Sequence, residues 1–326
     1  MTTLDDRLAR QRPLHSGFGP TSTTSDVLSG RSLRGTTAVV TGGYSGLGLA
    51  TTLALTGAGA RVIVPARRLP VAQEALRGVD GVHIVAMDLA DLASVRRFAD
   101  QVRREEAVID MVIACAGVMA CPEQRVGPGW ERQFATNHLG HFALVNLLAP
   151  ALNPAGARVV AVSSGAHRIT GIRWDDIHFT AQPYDRWQAY GQSKTANVLF
   201  AAHLAEIGRE RGILAFSLEP GLIITPLQRH IPRSEQIELG WIDEQGRPGP
   251  SFRTPDQGAA TIVWAATSPV LADRPGVYCA DCDVAPVTAA DTPDTGVAPW
   301  ALDPDEAHRL WEYSARVTEI PARALA

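Results

Sequence analysis

Thr37-Ala38-Val39-Val40-Thr41-Gly42-Gly43-Tyr44-Ser45-Gly46-Leu47-Gly48 is a short apolar run that breaks into glycines and then opens a helix-forming segment. Four consecutive apolar-compatible residues bounded by turn formers read as a buried strand. Glycines directly after a strand let the chain turn tightly and bring backbone N–H groups against a pyrophosphate at the N-terminus of the next helix, where partial positive charge collects. Glycine is abundant here, at 29 residues, so a cluster by itself says little. Placed between a strand and a helix in the first βαβ unit, it becomes a dinucleotide signature.

Outward from this stretch, strand-like and helix-like segments alternate. Residues 61–64 precede a helix over 71–76, 82–85 precede one over 92–104, and 109–113 precede a long helix from Gly129 towards Leu152. Residues 158–162, a helix starting at Tyr190, and strands over 213–217 and 277–279 complete the series. Short continuous apolar strands between amphipathic helices predict a parallel sheet covered on both faces, hence a doubly wound α/β (Rossmann) domain. The expected layout is a polar, Pro/Gly-containing arm over 1–34, one domain over 35–290 with substrate-side insertions, and a tail with a helix over 291–326.

The second strand ends Pro65-Ala66-Arg67-Arg68. An acid there would bond a ribose 2′-hydroxyl and repel a 2′-phosphate, whereas Arg67 and Arg68 can clamp the phosphate with charge-assisted hydrogen bonds. The expected cofactor is NADP(H) in preference to NAD(H).

A net charge of −4 and a pI near 6.1 argue against nucleic acid as a partner. No apolar run is long enough to span a bilayer and no h-region opens the chain, so the expectation is a soluble cytoplasmic protein with no membrane partner. Cys279 and Cys282 have CxxC spacing without a second pair, and Cys115 and Cys121 add no framework, so reduced thiols are expected. His138 and His141 lie three apart on a predicted helix, yet a third ligand is missing and no metal is expected.

The 30 basic residues include a single lysine, Lys194, four residues after Tyr190, one of 5 tyrosines. In a helix that spacing puts phenol and ammonium on one face. A phenol titrates near 10, too high for ready proton exchange at neutral pH, and a neighbouring ammonium stabilises its phenolate. Lysine's slim stem can also turn donors onto a ribose hydroxyl where a planar guanidinium would not fit.

Together, TGxxxGxG after the first strand and YxxxK on a later helix resemble the short-chain dehydrogenase/reductase family over roughly residues 34–285. Further matches are Asp88-Leu89, Ala116-Gly117, Asn137, Val162-Ser163-Ser164 and Pro220-Gly221. The resemblance implies Tyr190 as general acid or base, Ser164 as the second donor to the substrate oxygen, with Ser163 as its competitor, and Lys194 on the nicotinamide ribose. It implies Asn137 as the anchor of a proton-relay water. Cofactor contacts implied are Gly42, Tyr44, Ser45, Gly46, Leu47, Gly48, Leu89, Ala116, Gly117, Pro220, Gly221 and Ile223, with Asp88 at the adenine amine and Thr225 near the carboxamide. Ser164-Gly165-Ala166-His167, the long spacer to Tyr190 and Asn197-Val198-Leu199-Phe200 are similar to the retinol dehydrogenase-like branch. One departure is Cys115, where the family usually has an asparagine that braces the sheet, and some loss of local rigidity is expected there. The family habit of self-association through long helices implies a homodimer.

Two insertions flank the expected site mouth. Residues 168–188 carry Trp174, Phe179, Tyr184 and Trp187, while a lid over 222–254 carries Leu227, Trp241 and Phe252. Aromatics over a nicotinamide site predict a pocket for a bulky apolar or aromatic molecule, with His167, Tyr184, Trp187, Leu227 and Trp241 as candidate substrate contacts. Asp303-Pro304-Asp305-Glu306 predicts a capped helix start, followed by an apolar stripe that would pack on its own domain or across a dimer. The reading is an NADP(H)-dependent carbonyl reductase or alcohol dehydrogenase. Two rivals are a nicotinamide-binding sensor without turnover and a tailoring enzyme that reduces a C=C bond.

Overall fold

In the computed structural model, which describes residues 2–106, 108–288 and 295–321, the centre is one eight-stranded sheet. Its strands are β1 (Thr37–Val40), β2 (Arg61–Ala66), β3 (Val82–Ala86), β4 (Met111–Ala114), β5 (Arg158–Val162), β6 (Leu214–Leu218), β7 (Tyr278–Ala280) and β8 (Asp283–Val284). They lie in the order β8-β7-β6-β5-β4-β1-β2-β3. All neighbours are parallel except β7 and β8. Strand order reverses between β1 and β4, and in open α/β sheets ligands bind at the carboxyl ends of the strands beside such a switch point.

Helices α1 (Gly46–Gly57), α2 (Leu69–Ala75), α3 (Leu92–Glu105), α4 (Gly140–Leu148), α5 (Arg186–Ile207), α6 (Pro255–Thr267) and α7 (Pro304–Thr318) cover the sheet. Alternate strand residues feed two cores. Val39, Ile63, Val112 and Val159 face α3, α4 and α5, while Val40, Val64, Ile113 and Val160 face α1 and α6. Burial on both sides explains why these strands are continuously apolar.

Helix α5 is buried along nearly all of its length because β-strands lie on one side and α7 on the other. Trp311 of α7 stacks on Phe200 at 5.8 Å and meets Phe142 edge-on at 4.8 Å, while Arg96 of α3 donates to the Thr318 carbonyl. Asp303 caps α7 by accepting from the Asp305 and Glu306 amides. The tail helix therefore packs on its own domain. In the expected tail, residues 291–294 and 322–326 lie outside the described residues.

Two segments differ from expectation, and a third shows what produces its spacing. The helix expected from Gly129 starts at Arg132, because Trp130–Glu131 pairs with Arg125–Val126 as a small antiparallel ladder and the Glu131 carboxylate caps the Gln133 and Phe134 amides. A π turn over Ala135–Leu139 then leads into α4. In the arm, Thr3/Asp6 and Thr23/Asp26 form capping boxes on the short helices Leu4–Arg10 and Thr24–Leu28. Arg7 pairs with Glu206 at 2.9 Å, and the Gln11 amide donates to the Tyr278 and Ala285 carbonyls, so the arm is fastened to the body. Finally, the Cys279–Cys282 spacing is a hairpin turn between β7 and β8, with Asp281 and Cys282 at φ 54° and 58°, the signature of a primed two-residue turn. Both thiols are free and buried, and burial raises both, Cys282 to about 11.

Candidate active site

The glycine turn fits a pyrophosphate for reasons visible in its own backbone. Gly42 and Gly46 adopt φ +69° and +51°. A methyl on Gly48 would lie 2.2 Å from the Gly42 carbonyl oxygen, so helix and strand end approach too closely for any side chain. Ser45, the N-cap of α1, makes no side-chain capping bond, which leaves the first amides of a 12-residue helix without a side-chain acceptor and turned towards a cavity.

That cavity, about 1280 Å³, follows the carboxyl edge of the sheet. Its wall includes Gly42, Tyr44, Ser45, Gly46, Leu47, Gly48, Arg67, Arg68, Asp88, Leu89, Ala116, Gly117, Pro220, Gly221, Ile223 and Thr225, together with Ser164, Tyr190 and Lys194. Space, backbone donors, two arginines without an ion pair among the described residues and a length running from the β2 end to Tyr190 suit an extended dinucleotide.

Tyr190 and Lys194 sit one turn apart on α5, each 4% exposed. The Ser164 side chain faces the Tyr190 phenol and favours its ionised form, and its hydroxyl accepts from the Ala166 amide. Ser163, the competing serine, donates instead to the Lys194 carbonyl at 2.8 Å and so clamps α5 to β5. Lys194 Nζ donates to the Val162 carbonyl at 3.0 Å, and Asn197 donates to the same oxygen. A side chain at position 117 would begin 3.1 Å from Asn137 Oδ1, so Gly117 leaves room for the Asn137 amide.

The electrostatics depart from expectation at one point. Burial pushes the Tyr190 phenol up to about 12, opposed by Ser164, and burial holds Lys194 down at about 8. Lys194 Nζ lies 5.5 Å from the centre of the tyrosine ring and is committed to Val162. Burial therefore outweighs whatever lowering of the phenol the lysine charge supplies at this separation.

Asn137 falls within the π turn and does not line the cavity. Its side chain accepts from the Val118 amide and donates to the Val118 carbonyl and to Ser193 Oγ, tying the β4 loop to α5. Its backbone carbonyl accepts from His141 Nδ1 at 2.9 Å, so Nε2 of that ring carries no proton and accepts from the Thr41 hydroxyl at 2.8 Å. Thr41 Oγ1 in turn accepts from the Cys115 and Ala116 amides. This chain of bonds braces the β4 end beside Cys115. Burial pushes the Cys115 thiol up to about 11. Thr41 and His141 were missed as site supports because nothing in the local sequence shows that residues 100 positions apart meet. His138 turns its Nε2 to Ser314 on α7.

Two expected substrate contacts are corrected. His167 does not line the cavity: its Nε2 accepts from the Ala298 amide at 3.0 Å, so Nδ1 carries the proton and donates to the Ser164 carbonyl at 2.7 Å. Burial lowers it to about 4, keeping it neutral. Tyr184 points away too, with its hydroxyl among Gln133, the Cys121 carbonyl and Glu131, because Gln133 and the capping carboxylate offer better partners than an apolar pocket. Trp174 and Phe179 likewise pin the insertion, against Tyr313 and Tyr184 respectively. By contrast Trp187, Leu227, Trp241 and Phe252 do line the cavity, joined by Met119 and Ile169. The lid is anchored at both ends, since Phe252–Arg253 pairs in parallel with Leu222–Ile223 and Arg186 of α5 pairs with Glu235.

Residues 36–236 match the short chain dehydrogenase family. The chain belongs to the short-chain dehydrogenase/reductase family. It is 48% identical over 293 residues to a Streptomyces lividans protein named "Probable oxidoreductase", covering 87% of this chain and 97% of that one. It is 34% identical over 307 residues to human retinol dehydrogenase 14, covering 86% of each, in keeping with the retinol dehydrogenase-like branch. Among solved structures, the Pseudomonas aeruginosa RhlG/NADP active-site complex aligns with a TM-score of 0.59 and 27% identity, over 76% of this chain and 94% of that one. Like other short-chain dehydrogenases the protein is an oxidoreductase that uses a nicotinamide cofactor, and no described helix is long and apolar enough to cross a membrane.

Proposed function

We propose that this short-chain dehydrogenase interconverts an alcohol and an aldehyde or ketone on a bulky apolar or aromatic molecule, using NADP(H), with Tyr190 as the proton donor or acceptor. The observation that carries the proposal is the buried Tyr190, beside Ser164 and one turn from the sole lysine, on the wall of a cavity long enough for a dinucleotide. The bound nicotinamide supplies or receives the hydride. In reduction, the Ser164 and Tyr190 hydroxyls both donate to the carbonyl oxygen; Tyr190 passes its proton to that oxygen as the alcohol forms, and the resulting phenolate is held by Ser164 and the Lys194 ammonium. The second lone pair on the Asn137 carbonyl would seat the water that returns a proton.

NADP(H) is supported by Arg67 and Arg68, which line the cavity and make no ion pair among the described residues, and by the likeness to RhlG/NADP. A bulky apolar substrate is supported by Met119, Trp187, Leu227 and Trp241 around Tyr190. The free Cys279 and Cys282, three apart on one hairpin, support a reducing, cytoplasmic setting. For assembly, family habit supports a homodimer, but α7 covers the face of α4 and α5 that carries Phe142 and Phe200, so a dimer would need a different surface.

The test is oxidation of NADPH, with NADH in parallel, over a panel of aliphatic, aromatic and polycyclic aldehydes and ketones. Faster turnover with NADPH, best on the larger carbonyls, is expected. Tight NADPH binding with no carbonyl reduced would favour a sensor or a C=C reductase.

A further inference from the structure

Arg229 stands on the short turn Pro226–His230 at the root of the lid, immediately after Thr225. Its guanidinium is exposed, donates to the Pro226 carbonyl at 2.9 Å, and lines the same cavity as Arg67 and Arg68. None of these three arginines has an ion pair among the described residues. Partial burial lowers the pKa of Arg229, and the charges of Arg67, Arg132 and Arg68 add to that lowering. Like charges that converge on one cavity without counterions repel each other, and an anion between them reverses the sign.

The lid root is already shaped for this contact. Thr225 and Gln228 form a reciprocal capping box, and Gln228 donates to the Ile223 carbonyl. The Thr225 side chain sits 3.2 Å from where a Gly46 side chain would begin, so the base of the lid rests on the glycine turn.

We propose that Arg229 is a third guanidinium of the 2′-phosphate site, supplied by the substrate lid, so that NADP(H) fastens the lid and NAD(H) does so poorly. This inference rests on the NADP(H) reading above. The 2′-phosphate bridges Arg67 and Arg68 on the β2 end to Arg229, and the lid so fastened holds Leu227 and Trp241 in the wall beside Tyr190. Cofactor choice then acts on the Michaelis constant for the carbonyl as well as on that for the cofactor.

The test uses 2′,5′-ADP and 5′-AMP as probes, with calorimetry for affinity and amide exchange over residues 226–249 for fastening of the lid, in wild type, Arg229→Gln and Arg67→Ala. Loss of one charge-assisted contact predicts about tenfold weaker 2′,5′-ADP binding in Arg229→Gln. Exchange in the lid should slow with 2′,5′-ADP in wild type and stay fast in that variant, and the NADPH-to-NADH ratio of kcat/KM should fall by a similar factor. Wild-type binding of 2′,5′-ADP by Arg229→Gln, alongside weakened binding by Arg67→Ala, would overturn the inference and leave the NADP(H) reading standing. Equal affinity of wild type for the two probes would overturn both. Arg229→Lys controls for folding: if its thermal stability matches wild type, partial retention of affinity is expected from its remaining charge.

Discussion

The glycine turn over residues 42–48 and the lid over 222–254 both depend on glycines, yet Gly48 and Gly240 serve opposite needs. A side chain on Gly48 would strike the Gly42 carbonyl at 2.2 Å, and one on Gly43 would meet Thr52 Oγ1 at 2.7 Å. On the lid, Gly240 at φ +68° has nothing within 4 Å of where its side chain would begin. Gly48 permits a close main-chain contact, while Gly240 only lets the chain bend. One end of the cavity is thus fixed by local sterics, and the other is held by side chains that reach across the molecule, such as Arg186 to Glu235 and Trp187 against Trp241 at 6.0 Å.

The contrast breaks most sharply at Gly48. Gly48→Ala should displace the turn and weaken NADPH binding by on the order of 100-fold, the cost of misplacing a binding group by about 1 Å, as read by fluorescence titration. Gly240→Ala should strain the lid by about 1–2 kcal/mol at its positive φ and leave NADPH affinity within a factor of about three. Equal losses in the two variants would erase the distinction between the ends of the cavity.

The next effect follows from Lys194. Burial lowers its pKa to about 8, so the ammonium that supports the developing phenolate is lost as pH rises through that value, whereas Tyr190, raised to about 12, keeps its proton. For carbonyl reduction, kcat/KM should be flat below pH 8 and fall about tenfold per unit well above it. A profile level to pH 10 would show that the lysine charge is not required.

The smallest effects separate the aromatics. Trp241→Ala should raise KM for a polycyclic carbonyl about tenfold while changing that for a small aldehyde little, since it removes one wall of the pocket. Tyr184→Phe should cost about 1–3 kcal/mol of stability, since its hydroxyl both accepts from Gln133 and donates towards Glu131 and the Cys121 carbonyl, with KM unchanged, as judged by denaturant titration beside steady-state kinetics. A KM shift in Tyr184→Phe would return that residue to the pocket.

This division also marks what the sequence could tell. The alternation of strands and helices, the dinucleotide turn and the Tyr190–Lys194 face rest on apolar runs, helical spacing and glycines whose need is local, and these were legible. Which aromatic faces the cavity was not, because Tyr184 is drawn inward by Gln133 and Glu131, 51 and 53 residues away, and His167 by the amide of Ala298, 131 residues away. The arm helices escaped notice for a smaller reason: their capping boxes use aspartate in the third position instead of glutamate or glutamine. The Cys279–Cys282 spacing read correctly as two thiols, but the turn that produces it needed β8, two residues long and antiparallel, to be seen.

The most direct measurement is single-turnover NADPH oxidation by wild type and Tyr190→Phe on the best carbonyl of the panel, at pH 7 with cofactor binding quantified in the same samples. The account predicts that the variant still binds NADPH and loses between about 100-fold and 10,000-fold in the rate of the chemical step, the range for removing a positioned general acid. A variant that binds NADPH and turns over within tenfold of wild type would show that the proton comes from elsewhere and that Tyr190 is not the catalytic acid.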